Sequence, residues 1–163
     1  MGRFQRLTYE LTKKLNTLPY LGDETKPVLK ELFAAYDEST MLIPPFYTDF
    51  GKNTRIGKSC MIQQGCVFFD RGGITIGDNV QIGPKVNLVT LNHDLSIGGN
   101  RKATYCKPIV IEDNVWIGIA ATILPGVTLG RNCVVAAGSV VTKNIPANMI
   151  VAGNPAKIVK QLR

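Results

Sequence analysis

IEDNVWIGIAATILPGVTLGRNCVVAAGSVVT, residues 111–142, returns an aliphatic side chain at every sixth position. Ile111, Ile117, Ile123, Leu129, Val135 and Val141 hold that spacing. Four residues after each stands a small or aliphatic side chain: Val115, Ala121, Val127, Cys133, Ser139 and Ile145. Helices bury residues at a period near 3.6 and strands at 2, so a strict six is neither pattern running alone. It suits a chain that makes a short strand, turns and makes another, with the same two slots facing inward each time. Hexapeptide self-similarity marks a solenoid of the parallel β-helix type. Three hexads close a triangular coil of 18 residues, which places Ile111 beneath Leu129 and Ile117 beneath Val135.

The same period runs upstream. Ile56, Ile62 and Phe68 make one coil, with Cys60 and Cys66 in the small slot. Asp70-Arg71-Gly72-Gly73 adds two residues at a corner, and Ile76, Ile82 and Leu88 make the next coil. From Leu88 to Ile111 is 23 residues, one hexad and 17 more, so residues 94–110 are predicted to be extruded as a loop. Loops of that length in compact domains are usually functional or disordered. Coils at 111–128 and 129–146 follow, with Ala147 to Ile158 as an irregular closing turn.

Before the coils, Phe4, Leu7, Leu11, Leu15 and Leu18 predict an amphipathic helix over residues 3–18, broken at Tyr20-Leu21-Gly22-Asp23. A second helix is expected from Thr25 to Tyr36, burying Leu29, Leu32, Phe33 and Tyr36, with Pro27 tolerable in its first turn. Neither carries a chemical motif, and both read as packing. Pro44-Pro45 starts extended chain. The expected organisation is an all-β solenoid over residues 46–163, capped or flanked by a helical segment at 1–45.

With 163 residues the chain has one domain's length. Nineteen Lys and Arg against 12 Asp and Glu give +7, which favours an anionic partner. No basic run is interleaved with aromatics, which argues against nucleic acid. Residues 143–163 hold Lys143, Lys157, Lys160 and Arg163 and no acid, a pattern fitting either a phosphorylated small molecule or a solvated tail. Four cysteines without a CxxC pair suit a reducing compartment. Cys60, Cys66 and Cys133 fall in inward slots, whereas Cys106 lies outside the ladder with no role assigned. The N-terminus is too polar for a signal peptide and no apolar run reaches membrane-spanning length, so no membrane and a cytoplasmic location are expected.

His93 is the only histidine. A lone histidine is ordinarily structural, but this one is outside the inward slots, adjoins the long loop, and alone in the ladder titrates near neutrality. Imidazole, at about 6.5, suits removal of a proton from an attacking hydroxyl. One histidine cannot form the three-histidine zinc site of the gamma carbonic anhydrases, and no cysteines cluster, so no metal is expected.

The NH step before the loop, Asn114-Val115-Trp116-Ile117-Gly118, Gly126-Val127-Thr128-Leu129-Gly130, Ala137-Gly138-Ser139-Val140-Val141-Thr142-Lys143 and Ala152-Gly153-Asn154-Pro155-Ala156-Lys157 resemble the acetyl-CoA-dependent hexapeptide acyltransferases. With Pro44-Pro45-Phe46-Tyr47-Thr48-Asp49-Phe50-Gly51, the chain is similar to the maltose, galactoside and nodulation O-acetyltransferase branch over residues 30–163. The resemblance implies a left-handed coil, a homotrimer with active sites between prisms, and His93 as general base. It implies that the backbone at Ile119 and Ala137 meets the pantetheine arm and thioester. Thr142 and Lys143 would lie along the cofactor, with Lys157 and Lys160 near its phosphates. Trp116 is expected to line the same groove or to be a packing residue.

On the acceptor side, Asp49, Gln63, Asp70, Arg71 and Asn92 are the candidates. Gln63 stands where the family usually has Asn, and Arg71 where galactoside enzymes have Asp, so an acidic acceptor enters consideration. An N-terminal Asp that contacts sugar in that branch has no evident equivalent, and Asp70 is a substitute for it. Sugar O-acetylation by direct transfer is the leading expectation. Serine, an amino sugar or an antibiotic such as chloramphenicol as acceptor is the alternative, and a non-enzymatic trimeric scaffold the third.

Overall fold

The computed structural model describes residues 3–19, 22–94 and 103–163. The predicted break at Tyr20-Leu21, the Phe4 side chain and loop residues 95–102 lie outside the described residues. Two helices come first, α1 (Arg3–Leu15) and α2 (Thr25–Leu32). The chain then winds through short strands, three to a turn. The first turn is β1 (Ala35–Tyr36), β2 (Met41–Leu42) and β3 (Tyr47–Thr48); the second is β4 (Thr54–Ile56), β5 (Met61–Ile62) and β6 (Val67–Phe69). The third is β7 (Ile74–Ile76), β8 (Gln81–Ile82) and β9 (Asn87–Val89), after which β10 (Leu91–His93) and β11 (Thr104–Cys106) form an antiparallel pair. The fourth turn is β12 (Ile109–Ile111), β13 (Trp116–Ile117) and β14 (Thr122–Ile123); the fifth is β15 (Thr128–Leu129), β16 (Val134–Val135) and β17 (Val140–Val141). A hairpin, β18 (Met149–Gly153) and β19 (Ala156–Gln161), closes the chain.

Stacking the turns makes three faces. The first is β1-β4-β7-β12-β15, the second β2-β5-β8-β13-β16-β18-β19, the third β3-β6-β9-β14-β17. Neighbouring turns pair in parallel, and the expected registers Ile111↔Leu129 and Ile117↔Val135 are present. Ile117, Ile123, Leu129, Val135 and Val141 are fully buried, as are Ala121, Cys133 and Ser139 in the small slot. The period of six is thus a β-solenoid's inward ladder. Asparagine sets one corner: Asn114, Asn132 and Asn148 all have φ near +60°, which their short side chains tolerate. Their amides then bond along the axis, Asn114 Nδ2 to Asn132 Oδ1 at 3.2 Å and Asn132 Nδ2 to Asn148 Oδ1 at 2.8 Å.

Several expectations change. Helix α2 ends at Leu32 rather than Tyr36, because Ala34 N donates to Thr54 O and Ala35–Tyr36 pairs with β4. Strand pairing therefore starts before Pro44-Pro45, not after it. The extruded segment has an antiparallel base and rejoins the ladder at Ile109. The closing turn is an antiparallel hairpin with a register shift between Ile150 and Val151, and its β18 extends the second face from β16. In α1, Leu7 is exposed, and the inward side is Thr8, Leu11, Thr12 and Leu15. Asn16 brackets Phe46, accepting from its N–H at 2.8 Å and donating to its carbonyl at 2.9 Å. Phe46 in turn packs edge-on to Phe33 and Phe68, with centroids 5.7 and 5.0 Å away. The helices so cover the apolar end of the first turn, where a solenoid needs a cap.

Burial raises the Cys66 and Cys133 thiols to about 11 and moves Cys60 upward too. Cys106 is exposed. A thiol reagent at pH 8 is expected to label Cys106 rapidly in the native protein and the other three only after denaturation. Because burial favours the protonated thiols, their contribution to stability is whole below the ordinary value of 9.0 and is lost as pH rises towards about 11.

Candidate functional site

The second face carries an apolar groove of about 820 Å³. Its walls follow from register: Met61, Gln81, Trp116, Val134 and Ile150 each precede an inward aliphatic and stack outward in one column. Trp116 is 56% exposed, so of its two expected roles it takes the groove. Gln63, Ile119 and Ala137 line the same space.

The groove reaches the corner between the second and third faces, where the backbone is packed closely. A Cβ on Gly118 would come within 2.6 Å of Ala137 N, so glycine is what allows the two turns to approach. Around it the ladder bonds skip two donors. Gly118 N donates to Val135 O, Ala120 N to Pro84 O and Gly138 N to Ile119 O, each at 2.8 Å. Among the described residues the N–H groups of Ile119 and Ala137 have no acceptor, and both residues are exposed. They are open donors beside an apolar trough, suited to a ligand with carbonyl groups on a flexible chain.

The basic residues stand at one end. Lys160 pairs with Ile150 in the closing hairpin, and Lys157 with Ala152, so the outward column leads from Trp116 to Lys160. Thr142 and Lys143 follow β17 on the third face. Lys143, Lys157 and Lys160 are exposed, and none pairs with a carboxylate among the described residues.

His93 lies elsewhere. It ends β10, which leaves the third face at the corner leading to the first, and it is exposed. Asn92 Oδ1 accepts from His93 N at 2.8 Å, shaping the base of the hairpin. On the same corner, one turn down, Arg71 Nε donates to Asp49 Oδ2 and its guanidinium lies 5.6 Å from the Phe50 ring centre. The hydrogen bond that Arg71 donates to Asp49 raises the Arg71 pKa above its ordinary value. Gly72 N donates to Thr90 Oγ1 at 2.8 Å, tying this corner to the strand that carries His93.

The structure thus gathers Asp49, Arg71, Asn92 and His93 at one corner, and Gln63, Trp116, Ile119 and Ala137 at another. Asp70 belongs to neither. It is fully buried, accepting from Thr48 Oγ1 at 3.1 Å, Phe50 N at 2.8 Å and Thr54 Oγ1 at 2.9 Å. Its acceptor role is withdrawn, since those donors consume the carboxylate inside the corner. The sequence reading missed Met61, Gln81, Val134 and Ile150, although each announces itself as the residue before an inward aliphatic. No group of three metal-ligating side chains occurs among the described residues. Nor is any described helix long and apolar enough to cross a membrane.

The hexapeptide repeat of succinyl-transferase matches residues 50–83 and 108–143, the second to fifth turns. Galactoside O-acetyltransferase of Escherichia coli is 38% identical over 164 residues, spanning 98% of this chain and 78% of that protein. The chain belongs to the hexapeptide-repeat acetyltransferases. Two solved members superpose closely. A hexapeptide-repeat acetyltransferase of Vibrio cholerae, complexed with acetyl-coenzyme A, gives a TM-score of 0.93 at 39% identity, covering 98% of this chain and 87% of that one. A maltose O-acetyltransferase of Clostridium difficile gives 0.94 at 34%, covering 99% and 87%.

Proposed function

We propose that this hexapeptide-repeat acetyltransferase uses acetyl-CoA to acetylate a hydroxyl of a sugar or related small acceptor. The observation that carries the reading is the groove: an apolar trough with two open backbone donors at Ile119 and Ala137 and lysines at its end. Pantetheine offers amide carbonyls on a chain of that kind, and the lysines act on CoA phosphates as point charges. With the thioester carbonyl at these open donors, the N–H groups of Ile119 and Ala137 would stabilise the oxyanion as it forms.

His93 takes the proton of the acceptor hydroxyl, whose oxygen attacks the thioester carbon. The new C–O bond forms, the C–S bond breaks, and the departing thiolate recovers the proton from the imidazolium. No covalent acetyl-enzyme is expected: Cys60, Cys66, Cys133 and Ser139 face inward, and the exposed Cys106, which pairs with Leu91 in the β10–β11 hairpin, is not among the residues lining the groove. His93 and the groove occupy different corners of one prism, which supports a homotrimer in which the histidine corner of one copy meets the groove of the next. The Asp49–Arg71 pair cancels its own charge, which favours a neutral acceptor over an acidic one.

Acetyl-CoA-dependent thiol release, run against sugars, amino sugars, serine and chloramphenicol, tests this. Turnover with neutral sugars is the expected result; preference for serine or chloramphenicol overturns the acceptor assignment. Absence of any thermal shift with acetyl-CoA overturns the groove assignment. A Lys157→Ala/Lys160→Ala variant is expected to raise the acetyl-CoA KM about tenfold with little change in kcat, more so at low salt.

A further inference from the structure

The apolar groove is longer than the ligand assigned to it. Its lysines stand at the hairpin end, so with CoA phosphates there the acyl group points the other way, past Ile119. Ile119 belongs to the fourth turn, yet the lining continues through Gln81, Gly83 and Pro84 of the third turn to Met61 and Gln63 of the second. Neighbouring strands lie about 4.8 Å apart, so roughly 10 Å of groove extends beyond Ile119. The methyl of an acetyl group stands one carbon–carbon bond, about 1.5 Å, from its carbonyl carbon.

The wall changes character over that distance. Gln64, Pro84, Ile119 and Ala137 hold the same position in successive turns, the one that the ladder bonds skip. At Ile119 and Ala137 the skipped N–H is open, whereas Pro84 has none to offer. Beside it, Gly83 N donates to Ile117 O at 2.8 Å, Lys85 N donates to Gln64 O at 3.0 Å, and Pro84 O accepts from Ala120 N at 2.8 Å. Gln64 is not among the residues lining the groove. At the far end the Gln63 amide donates to Met61 Sδ at 3.1 Å. Backbone that offers donors near the lysines thus gives way to backbone whose polar groups are spent. Such a stretch suits methylene groups better than the hydroxyls of a sugar, for which Gln81 is the one polar side chain at that level.

We propose that this stretch is an acyl-chain channel, through which donors with straight-chain acyl groups of three and four carbons are taken as well as acetyl. The channel rests on the reading of the groove as the acetyl-CoA site. The transfer step is unchanged: the acceptor C–O bond forms, the acyl C–S bond breaks, and the thiolate recovers the proton. Only the chain behind the carbonyl carbon differs, and it covers apolar wall that acetyl leaves to water.

The test measures calorimetric binding of CoA, acetyl-CoA, propionyl-CoA and butyryl-CoA, and kcat/KM for the three donors, in the parent, Gln81→Glu and Gln81→Leu. Each added methylene is expected to tighten binding about threefold. The kcat/KM for butyryl-CoA should stay within a few-fold of that for acetyl-CoA. Effects are read as the ratio of butyryl-CoA to acetyl-CoA within each variant. Gln81→Glu, which sets a carboxylate in the channel, is expected to abolish the gain, and Gln81→Leu to keep or enlarge it. The channel is overturned by butyryl-CoA that binds no tighter than acetyl-CoA, or by a gain that Gln81→Glu leaves intact. It is overturned equally by butyryl-CoA that binds but is not transferred where acetyl-CoA is. A gain removed by Gln81→Glu, with no transfer of either group to any acceptor, upholds the channel and overturns the acceptor reading. Absence of binding by CoA itself overturns the groove assignment, and the channel with it.

Discussion

His93→Ala is expected to lower kcat for acetyl transfer by about two to four orders of magnitude, the usual contribution of a positioned general base. Acetyl-CoA binding should survive, because the groove with Ile119 and Ala137 lies on another corner of the prism. The melting temperature should also hold, since the side chain is exposed and outside the inward ladder. The informative measurement is therefore a pair: thiol release at saturating acetyl-CoA, and the thermal shift that acetyl-CoA produces. Loss of the first with retention of the second assigns His93 to the chemistry. Transfer within a few-fold of the parent removes it, and with it the direct-transfer mechanism as written. Loss of both would mean that the variant disturbs the hairpin formed by β10 and β11.

The prism was legible because its geometry repeats. Each turn must place an aliphatic residue where the previous one did, so Ile111, Leu129 and their equivalents mark themselves by period, and their burial follows. What breaks the period was legible only as an interruption. The 17 extra residues announce an excursion, but nothing in them distinguishes a free loop from the antiparallel base that Leu91–His93 forms with Thr104–Cys106. Outward residues follow the same register as inward ones without any compositional signature, which hid Met61 and Ile150 beside the conspicuous Trp116.

Asp70 and Arg71, adjacent in sequence, show how far burial separates two candidates that composition treats alike. Asp70→Ala is expected to cost about 3–5 kcal/mol, because it strands the Phe50 N–H and the Thr48 and Thr54 hydroxyls inside the corner. In a chain of this length that corresponds to a fall in melting temperature of about 10 °C or more. Asp70→Asn should be milder, since one oxygen remains for Phe50 N–H and a hydroxyl can rotate to accept from the new amide. Arg71→Ala removes a surface pair with Asp49 and should cost no more than about 1 kcal/mol. It should nevertheless change acceptor KM, because it uncovers the Asp49 carboxylate at the corner that carries His93. Thermal melts of the three variants decide the matter. A stable Asp70→Ala protein with altered acceptor preference would return Asp70 to the acceptor site, whereas an unstable one leaves Asp70 as the brace; an unchanged acceptor KM in Arg71→Ala would remove Arg71 from the acceptor side.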